Sequence, residues 1–481
     1  MDSIMSTKIP VQNIDPQDPS TAKVKTVELY EARKKIYVKE ITGVFQKVRS
    51  FSLWFLMGMY FLFCWISVDG QQLVLFDLPN RKFHIFGAIF WPQDFVLLSW
   101  LLIICAFGLF FITTLFGRVW CGYTCPQTVW TFIFMWLEER IEGSRNQRMK
   151  LDQAAMNKQK ALKKAAKHAS WLFVAFATGL TFVGYFYPIR ELVPDFFTFD
   201  ISSGWAYFWI GFFTLATYIN AGWMREQVCL YMCPYARFQS VMFDRDTLVV
   251  SYDPNRGEPR GSRKRSADPK EIGLGDCVDC GMCVQVCPTG IDIRDGLQYE
   301  CIGCALCIDA CDSVMEKMEY PKGLISYTTE QKLEGKDSKL LRPRTFGYGL
   351  ALVIMMSAFA FKLGTRLPVE LDVIRDRGAL FQTNAKGYIE NAYTLQLMNM
   401  SDQVRTFVIT VAGMDGVSIS GNSEFTLEPS EVRSIPMAVE AKPSALTERN
   451  HDIVFKAQAV DDASVKIESE SRFLGPAPVK F

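Results

Sequence analysis

The sequence predicts a polytopic α-helical membrane protein of about five transmembrane helices, with a cysteine-rich cytoplasmic domain and an exported C-terminal β-sandwich. Three observations lead to this expectation. Apolar residues make up 49% of the chain and lie in long charge-free blocks, most of the 14 cysteines are clustered, and the last 170 residues contain none. The 52 Lys and Arg balance 51 Asp and Glu, and a net charge of +1 excludes a globally basic nucleic-acid-binding protein.

Five apolar segments are long enough to cross a bilayer, for which about 20 residues are needed. They are residues 51–68, 94–115, 170–188, 203–222 and 346–364. Trp and Tyr recur near the ends of these segments, as is typical of side chains that anchor at membrane interfaces. Membrane lipid is accordingly the first partner expected.

The distribution of Lys and Arg predicts the orientation, because cytoplasmic loops are enriched in both residues. Segment 116–169 carries ten basic residues, whereas 189–202 carries only Arg190. We therefore expect the N-terminus, 116–169 and 223–345 in the cytoplasm, and 365–481 on the other side. The cysteine-rich loop then faces a reducing compartment, in which thiols stay free to bind metal.

These signals divide the chain into five expected parts. They are a cytoplasmic N-terminal segment (1–50), a four-span region with duplicated units (51–245), a cytoplasmic cysteine-rich domain (246–345), a fifth span (346–364) and an exported domain (365–481). The boundaries follow the predicted spans.

A short cysteine motif occurs after the second and after the fourth predicted span, with an offset of 108 residues. The copies read Cys121-Gly-Tyr-Thr-Cys125-Pro126 and Cys229-Leu-Tyr-Met-Cys233-Pro234. Proline suits the first turn of a helix, so Cys125 and Cys233 are expected just before a helix whose N-terminus favours the thiolate. Thiolate pairs suit a soft cation such as Cu(I), and these four cysteines are the candidate catalytic and copper-binding residues. Structural cysteines in two loops are the alternative.

Residues 277–311 contain a longer motif, C-x2-C-x2-C-x3-C, in two copies. This spacing is typical of two-cluster bacterial ferredoxins, in which three close thiolates bind one [4Fe-4S] cluster and the fourth cysteine binds the other. The sequence thus predicts a bacterial-type 2[4Fe-4S] ferredoxin domain. One cluster is assigned to Cys277, Cys280, Cys283 and Cys311, and the other to Cys287, Cys301, Cys304 and Cys307. A pair of zinc sites is the alternative, although such sites usually use separated C-x2-C pairs.

The exported part changes pattern. Alternating runs such as VELDVIR, TFVITV and VRSIPMAVEA are separated by Gly, Asn, Asp and Pro. This is typical of an antiparallel sandwich, and the expected fold resembles an immunoglobulin-like domain without a disulfide. The region offers no catalytic constellation, so docking onto a partner is its expected role.

Other cofactors are not indicated. The three histidines (His84, His168 and His451) lie outside the predicted spans, which argues against haem held by two histidines inside the bilayer. The chain also lacks an evident phosphate-binding glycine loop or dinucleotide fingerprint, so neither NAD nor ATP is expected.

The order of these parts closely resembles the cytochrome c oxidase accessory protein family, the FixG-like or CcoG proteins of bacterial inner membranes. The resemblance rests on the spans, both C-x-x-x-C-P motifs, the stretch GIDIRDGLQYECIGCALCIDACD and the tail, and it covers nearly the whole chain. It implies reduction of Cu(II) to Cu(I) for assembly of the cbb3-type oxidase, with copper as substrate or bound ion. It also implies the bacterial inner membrane as location, the periplasm for 365–481, and copper chaperones and oxidase assembly factors as partners.

Two other functions remain open. One is a quinol-oxidising electron-transfer subunit, against which the exported domain and the lack of histidine in the spans both argue. The other is a non-catalytic copper scaffold whose clusters are structural. The sequence does not identify the cytoplasmic electron donor, nor does it determine whether the chain forms a homo-oligomer.

Overall fold

The chain is described here from a computed structural model. It describes residues 8–12, 24–28, 35–68, 70–201, 204–265, 271–339, 341–376, 378–401 and 403–476. Parts of the predicted N-terminal segment 1–50 therefore lie outside the described residues. The chain separates into two units, one of residues 1–62, 109–183 and 196–345, and one of 63–108, 184–195 and 346–481.

Helices dominate the first two thirds of the chain. In chain order they are α1 (Val44–Leu62), α2 (Phe95–Phe116), α3 (Val119–Tyr123), α4 (Pro126–Glu142), α5 (Arg145–Gln153), α6 (Lys158–Val183), α7 (Ile189–Thr198), α8 (Gly204–Thr217), α9 (Pro234–Met242), α10 (Pro254–Gly257), α11 (Met282–Gln285), α12 (Leu306–Met318), α13 (Glu330–Leu333) and α14 (Pro343–Gly364). Two π-helical stretches, Tyr218–Met224 and Val228–Met232, follow α8.

Among the residues that the structure describes, two helices are long and apolar enough to cross a membrane. They span Pro92–Phe116, with a mean hydropathy of 2.8, and Pro343–Gly364, with 1.7. Only 6% and 0% of the residues in their most apolar stretches are buried within the protein, whereas the core helix of a soluble domain is mostly buried. Rows of exposed apolar side chains of this length are stable in lipid and unfavourable in water.

The other three predicted spans are helical over part of their length. α1 ends at Leu62, inside 51–68, and α6 ends at Val183, inside 170–188. Segment 203–222 changes from α8 to a π-helix at Tyr218. The number of crossings and their orientation remain predictions.

Strands complete the description, and all of the pairings are antiparallel. They are β1 (Lys8–Gln12), β2 (Val24–Glu28), β3 (Ser67–Val68), β4 (Gln71–Gln72), β5 (Val74–Asp77), β6 (Lys82–Ile85), β7 (Ala88–Phe90), β8 (Val249–Tyr252), β9 (Ile325–Thr328), β10 (Val369–Arg375), β11 (Gln382–Thr383), β12 (Ile389–Asn399), β13 (Arg405–Ala412), β14 (Val417–Ser420), β15 (Glu424–Leu427), β16 (Val432–Ala441), β17 (Asn450–Ala459) and β18 (Lys466–Leu474).

The C-terminal domain is a sandwich of two sheets. One has the order β10-β12-β16-β14, with β11 paired to β12, and the other has the order β15-β13-β17-β18. Alternate residues point inward, and Leu395, Phe407 and Phe455 are fully buried in one apolar core. The predicted antiparallel sandwich, held by its core without a disulfide, is confirmed.

The cysteine-rich loop folds around a smaller core. β8 pairs with β9, with Val250 opposite Tyr327. Behind this two-stranded sheet, Ile308 and Met315 of α12 are buried together with cysteine side chains. Thus the core of this region is built partly from the residues expected to bind metal.

Candidate metal centre

The two C-x2-C-x2-C-x3-C runs adopt the same local backbone. Asp279 and Gly281 have φ angles of 51° and 63°, and the equivalent Gly303 and Ala305 have 65° and 60°. α11 follows the first pair and α12 follows the second. Consecutive N–H groups in turns that combine left- and right-handed residues form a concave surface that suits anionic iron–sulfur groups. The repeat in sequence is therefore also a repeat in structure.

Two cavities gather the eight cysteines of these runs into two sets of four. The first, called here the distal set, consists of Cys277, Cys280, Cys283 and Cys311. The second, called the proximal set, consists of Cys287, Cys301, Cys304 and Cys307. In each set, the fourth cysteine of one run lies with the first three of the other. Cys283 lines both cavities, so the two sets are neighbours.

The donor chemistry of both sets fits a [4Fe-4S] cluster. Each set supplies four thiols around an internal cavity, and in a cube each thiolate binds a different iron. A zinc ion instead requires its sulfur ligands to converge on one point. The exchange of the fourth cysteine between the two sets is typical of two-cluster ferredoxins and favours clusters over the zinc alternative.

Burial disfavours the thiolate form of several of these cysteines. It raises the pKa of Cys283 to about 11 and that of Cys301 and Cys311 to about 12, and neighbouring thiols add to the shifts. Because a thiol must lose its proton to ligate, cluster insertion releases protons.

The short C-x-x-x-C-P motifs each lie immediately before a helix. Cys125 has extended backbone angles (φ −58°, ψ 130°) and α4 begins at the following proline. Cys233 (φ −79°, ψ 110°) precedes α9 in the same way. The predicted helix starts are confirmed. Cys121 lies in α3, whereas Cys229 lies in the π-helical stretch Val228–Met232.

The structure brings these four cysteines, called here the paired-motif cysteines, close together. Burial raises the pKa of Cys121 to about 11, and the nearby Cys125 and Cys233 raise it further. Burial raises the pKa of Cys229 to about 12, with added contributions from the other three thiols. Residues 108 positions apart in sequence thus share one electrostatic environment.

The expectation that a helix N-terminus stabilises the thiolate is only partly correct. Backbone N–H groups of Gln127 and Thr128 do lower the pKa of Cys125, but the cost of burying a charge is larger and the net shift is upward. Cys121, Cys125 and Cys229 therefore ionise on binding a cation rather than beforehand.

The first motif is in backbone contact with the proximal set. A Cβ atom added at Gly122 would lie 2.9 Å from Cα and 3.0 Å from N of Cys304. Tyr123 donates its hydroxyl to the carbonyl of Cys304 at 3.4 Å. There is consequently no space for a side chain between Gly122 and the loop that carries Cys304.

The second motif also adjoins the proximal set. A cavity of about 40 Å³ is lined by Cys229 together with Thr289 and Ile302, which flank proximal cysteines. On the other side, Cys121 Sγ donates to Oε1 of Gln239 at 3.3 Å. Cys121 and Cys229 therefore both lie beside the proximal site.

Two buried arginines fix the contact between the first motif and the proximal set. In the sequence, Arg118 is one of the ten basic residues of segment 116–169 that predict the orientation. Arg118 donates to the carbonyls of Cys301 (3.2 Å), Tyr299 and Ala236. Arg49 Nε donates to the carbonyl of Gly122 at 3.1 Å. The position of Arg118, three residues before Cys121, is the one local signal that pointed to it.

A carboxylate between two cluster cysteines, Asp309, holds the start of α1. Its oxygens accept the backbone N–H groups of Phe45 (3.2 Å) and Gln46 (2.7 Å). A Cβ atom at Gly43 would lie 2.1 Å from Asp309 Cγ, so only glycine fits there. The cysteine-rich loop is thereby fastened to α1 by helix capping from a distant residue.

A buried ion network holds the second motif. Glu138 of α4 pairs with Arg225 at 2.7 Å and with Arg148 at 3.6 Å. Arg225 lies between the two π-helical stretches, and its carbonyl accepts from Gln127 Nε2 at 3.1 Å. This chain of contacts runs from α4 to the segment that carries Cys229.

Three family models match parts of the chain. A "4Fe-4S dicluster domain" matches residues 224–330, a "4Fe-4S binding domain" matches 98–141, and an "IG-like fold at C-terminal of FixG" matches 359–476. The first range contains all eight cysteines of the distal and proximal sets as well as Cys229 and Cys233, and the second range contains Cys121 and Cys125.

Several known proteins are similar over most of the chain. The nitrogen fixation protein FixG of Rhizobium meliloti (strain 1021) is 39% identical over 450 residues, which is 86% of each chain. Protein RdxA of Cereibacter sphaeroides is 39% identical over 86% of this chain and 88% of its own. Protein RdxB of the same organism is 38% identical over 82% and 86%. A crystal structure of a FixG-related protein from Vibrio parahaemolyticus is 36% identical and covers 22% of this chain and 95% of its own, with a TM-score of 0.21.

Proposed function

The chain belongs to the FixG-like family of iron–sulfur electron-transfer proteins, and on that premise we propose that it is a membrane-bound reductase of Cu(II). The observation that carries the proposal is the backbone contact between Gly122 and Cys304. It sets soft thiol ligands directly beside a site that fits a redox cluster.

The chain's own residues hold and enclose the cofactors in this proposal. The distal and proximal sets ligate one [4Fe-4S] cluster each, and the bound clusters supply one-electron carriers. Ile293 and Ile308 line the cluster-binding core and are almost completely buried, which excludes water from the sites.

The paired-motif cysteines are proposed to bind copper as the substrate. Reduction is balanced as one electron from a cytoplasmic donor for each Cu(II) converted to Cu(I). Thiolate sulfur is a soft ligand and favours Cu(I), so binding stabilises the product. Because the pKa of Cys121 and of Cys229 is raised by burial, copper must displace protons from both.

The cellular role follows from the family resemblance. We propose that the Cu(I) formed here passes to copper chaperones for assembly of a cbb3-type cytochrome c oxidase in a bacterial inner membrane. The cysteine-rich domain 246–345 would face the cytoplasm. The sandwich would face the periplasm, where it would dock onto oxidase assembly factors.

Copper reduction by the purified protein tests this proposal. The full chain is purified anaerobically, reduced and mixed with Cu(II), and Cu(I) is followed with a chelating dye. Replacing all four paired-motif cysteines by Ala should lower the rate at least tenfold at unchanged iron content. A matched control replaces Cys64 and Cys105, the two cysteines outside all three groups, and should retain the rate. An unchanged rate in the fourfold variant would sink the thiol assignment.

One comparison favours a second occupant for these thiols. The match of a 4Fe-4S binding family to 98–141 includes Cys121 and Cys125, so a third cluster at the paired-motif cysteines is the alternative to copper. Two clusters give about eight iron atoms per chain and three give about twelve. Loss of about four iron atoms in the fourfold variant would favour the third cluster.

The same preparation separates the remaining candidates. Quinol-dependent reduction of the clusters in membranes would favour a quinol-oxidising subunit. Clusters that never change redox state during copper loading would favour a scaffold.

A further inference from the structure

The two cluster sites differ in the charges around them. Next to the proximal set lie two buried guanidinium groups, those of Arg49 and Arg118, which are 5% and 6% exposed. Both donate to backbone carbonyls, and in the part of the chain that the structure describes neither forms an ion pair with a carboxylate. Each therefore places a positive charge beside the site. The buried carboxylate of Asp309, which accepts backbone N–H groups at the start of α1, offsets one of the two charges, so the local charge there is positive.

These charges reach the proximal cysteines themselves. Arg118 contacts the carbonyl of Cys301 at 3.2 Å. Arg49 contacts the carbonyl of Gly122, whose Cα packs against Cys304.

The distal set has the opposite surroundings. Arg294 pairs with Asp292, at 2.6 Å, and with Asp279. A third carboxylate, Asp312, follows Cys311 directly. Arg263 donates to the carbonyl of Cys277 at 3.4 Å. Three carboxylates thus lie beside two guanidinium groups at the distal site, and the local charge there is negative.

A reduced cluster carries one more negative charge than an oxidised one, and net charge and hydrogen bonding are among the factors that set its potential. Positive charge in a poorly solvated interior stabilises the reduced state, and carboxylates destabilise it. We propose that Arg49 and Arg118 are positioning residues that clamp the Gly122 loop onto the proximal site and make it the higher-potential site of the two.

An electron shared between the sites then resides at the proximal set, beside the paired-motif cysteines. The asymmetry gives the transfer a direction, from the distal side toward the thiols. This inference rests on the proposed iron–sulfur function but not on copper as the acceptor.

A redox titration of the full chain, monitored by electron paramagnetic resonance without copper, tests the proposal. Wild type should show two reduction waves at different potentials. Arg118→Gln should shift the higher wave downward and leave the lower wave in place. Arg118→Lys keeps the charge while losing the forked contact, and should restore most of the shift. Asp312→Asn should move only the lower wave, and upward.

Iron content shows whether each variant retains both clusters. If Arg118→Gln loses iron, the test moves to Arg49→Gln, which removes a single carbonyl contact and should shift the higher wave downward. Asp312→Asn tests the charge asymmetry independently of both arginines. The proposal is overturned if the arginine variants keep full iron but leave both waves in place, or if they shift the lower wave. It is also overturned if Asp312→Asn shifts the higher wave. A chain with the expected waves that produces no Cu(I) would refute copper reduction alone.

Discussion

The unit of residues 1–62, 109–183 and 196–345, called here the cysteine-rich unit, and the C-terminal sandwich are stabilised in different ways. The sandwich has one continuous apolar core, and the buried polar side chains among its described residues are Asn391 and Asn399. The cysteine-rich unit has several small apolar clusters, separated by cysteine-lined cavities and by buried charges such as Glu138 and Arg225. The sandwich is held by its apolar core, whereas the other unit is built in part around thiols that fit metal clusters.

Removal of iron should separate the stabilities of the two units most clearly. Chelation is expected to unfold the region around α11 and α12, an effect on the order of 10 kcal/mol as for other structural metal sites. Hydrogen exchange followed by mass spectrometry should show lost protection there and unchanged protection in β12 and β17. Equal loss in the sandwich strands would contradict the contrast between the two units.

A cavity in the core of the sandwich should destabilise the sandwich and leave the cysteine-rich unit unchanged. Phe455 is fully buried, and Phe455→Ala is expected to cost about 3–5 kcal/mol. Iron content and the visible absorption of the clusters should not change. Val460→Ala, at a position 61% exposed, is the matched control and should have little effect on the thermal midpoint. A fall in iron content of Phe455→Ala would show that the two units are coupled.

Loss of a buried charge should affect only the cysteine-rich unit. Glu138→Gln leaves Arg225 and Arg148 without their carboxylate, and is expected to cost about 3 kcal/mol. The control Glu468→Gln removes a surface pair with Lys456 in the sandwich and should leave stability unchanged. Thermal unfolding of both variants makes the comparison.

The same carboxylate predicts a pH dependence. Burial disfavours its charged form, but Arg225, Lys35 and Lys167 outweigh burial and lower the pKa of Glu138 in the folded state. A lowered pKa adds stability above the unfolded value of about 4.5, and this stability is lost as pH falls through the folded pKa. Acid should therefore destabilise wild type more than Glu138→Gln; an equal acid sensitivity would contradict this assignment.

The smallest change concerns the close contact at the proximal site. Gly122→Ala forces the Cys304 loop to move, at a cost of about 1–3 kcal/mol, and should lower iron occupancy. Gly58→Ala in α1 meets no atom within 4 Å and should keep wild-type iron. If both variants bind iron equally well, the contact is not needed for cluster binding.

Much of the difference between the sandwich and the cysteine-rich unit could be predicted from the sequence, because strand alternation and cysteine spacing are local patterns. The alternating runs VELDVIR and VRSIPMAVEA correspond to β10 and β16 at both ends. The cysteine spacings likewise identified the eight residues that line the two cavities. Short strands such as β14 and β15 were missed, since four residues carry too little periodicity.

The contacts that join the motifs could not be predicted. Arg118 contacts Tyr299, 181 positions later, through a carbonyl that carries no side-chain signature. In the sequence Arg118 is one basic residue near a predicted span, and it indicates only the orientation of that span in the membrane. Asp309 was similarly inconspicuous between two cysteines. Main-chain partners brought together by folding leave no pattern in a single sequence.

The capping of α1 by Asp309 also imposes an order in time. Phe45 and Asp309 are 264 positions apart, so at about 5–20 residues per second a ribosome adds the second roughly 15–50 seconds after the first. Throughout that interval the first turn of α1 lacks its carboxylate. The cap of α1 can therefore form only after the ribosome has made the intervening helices and most of the cysteine-rich loop. Folding of this helix is thus tied to completion of the loop that carries the cluster cysteines.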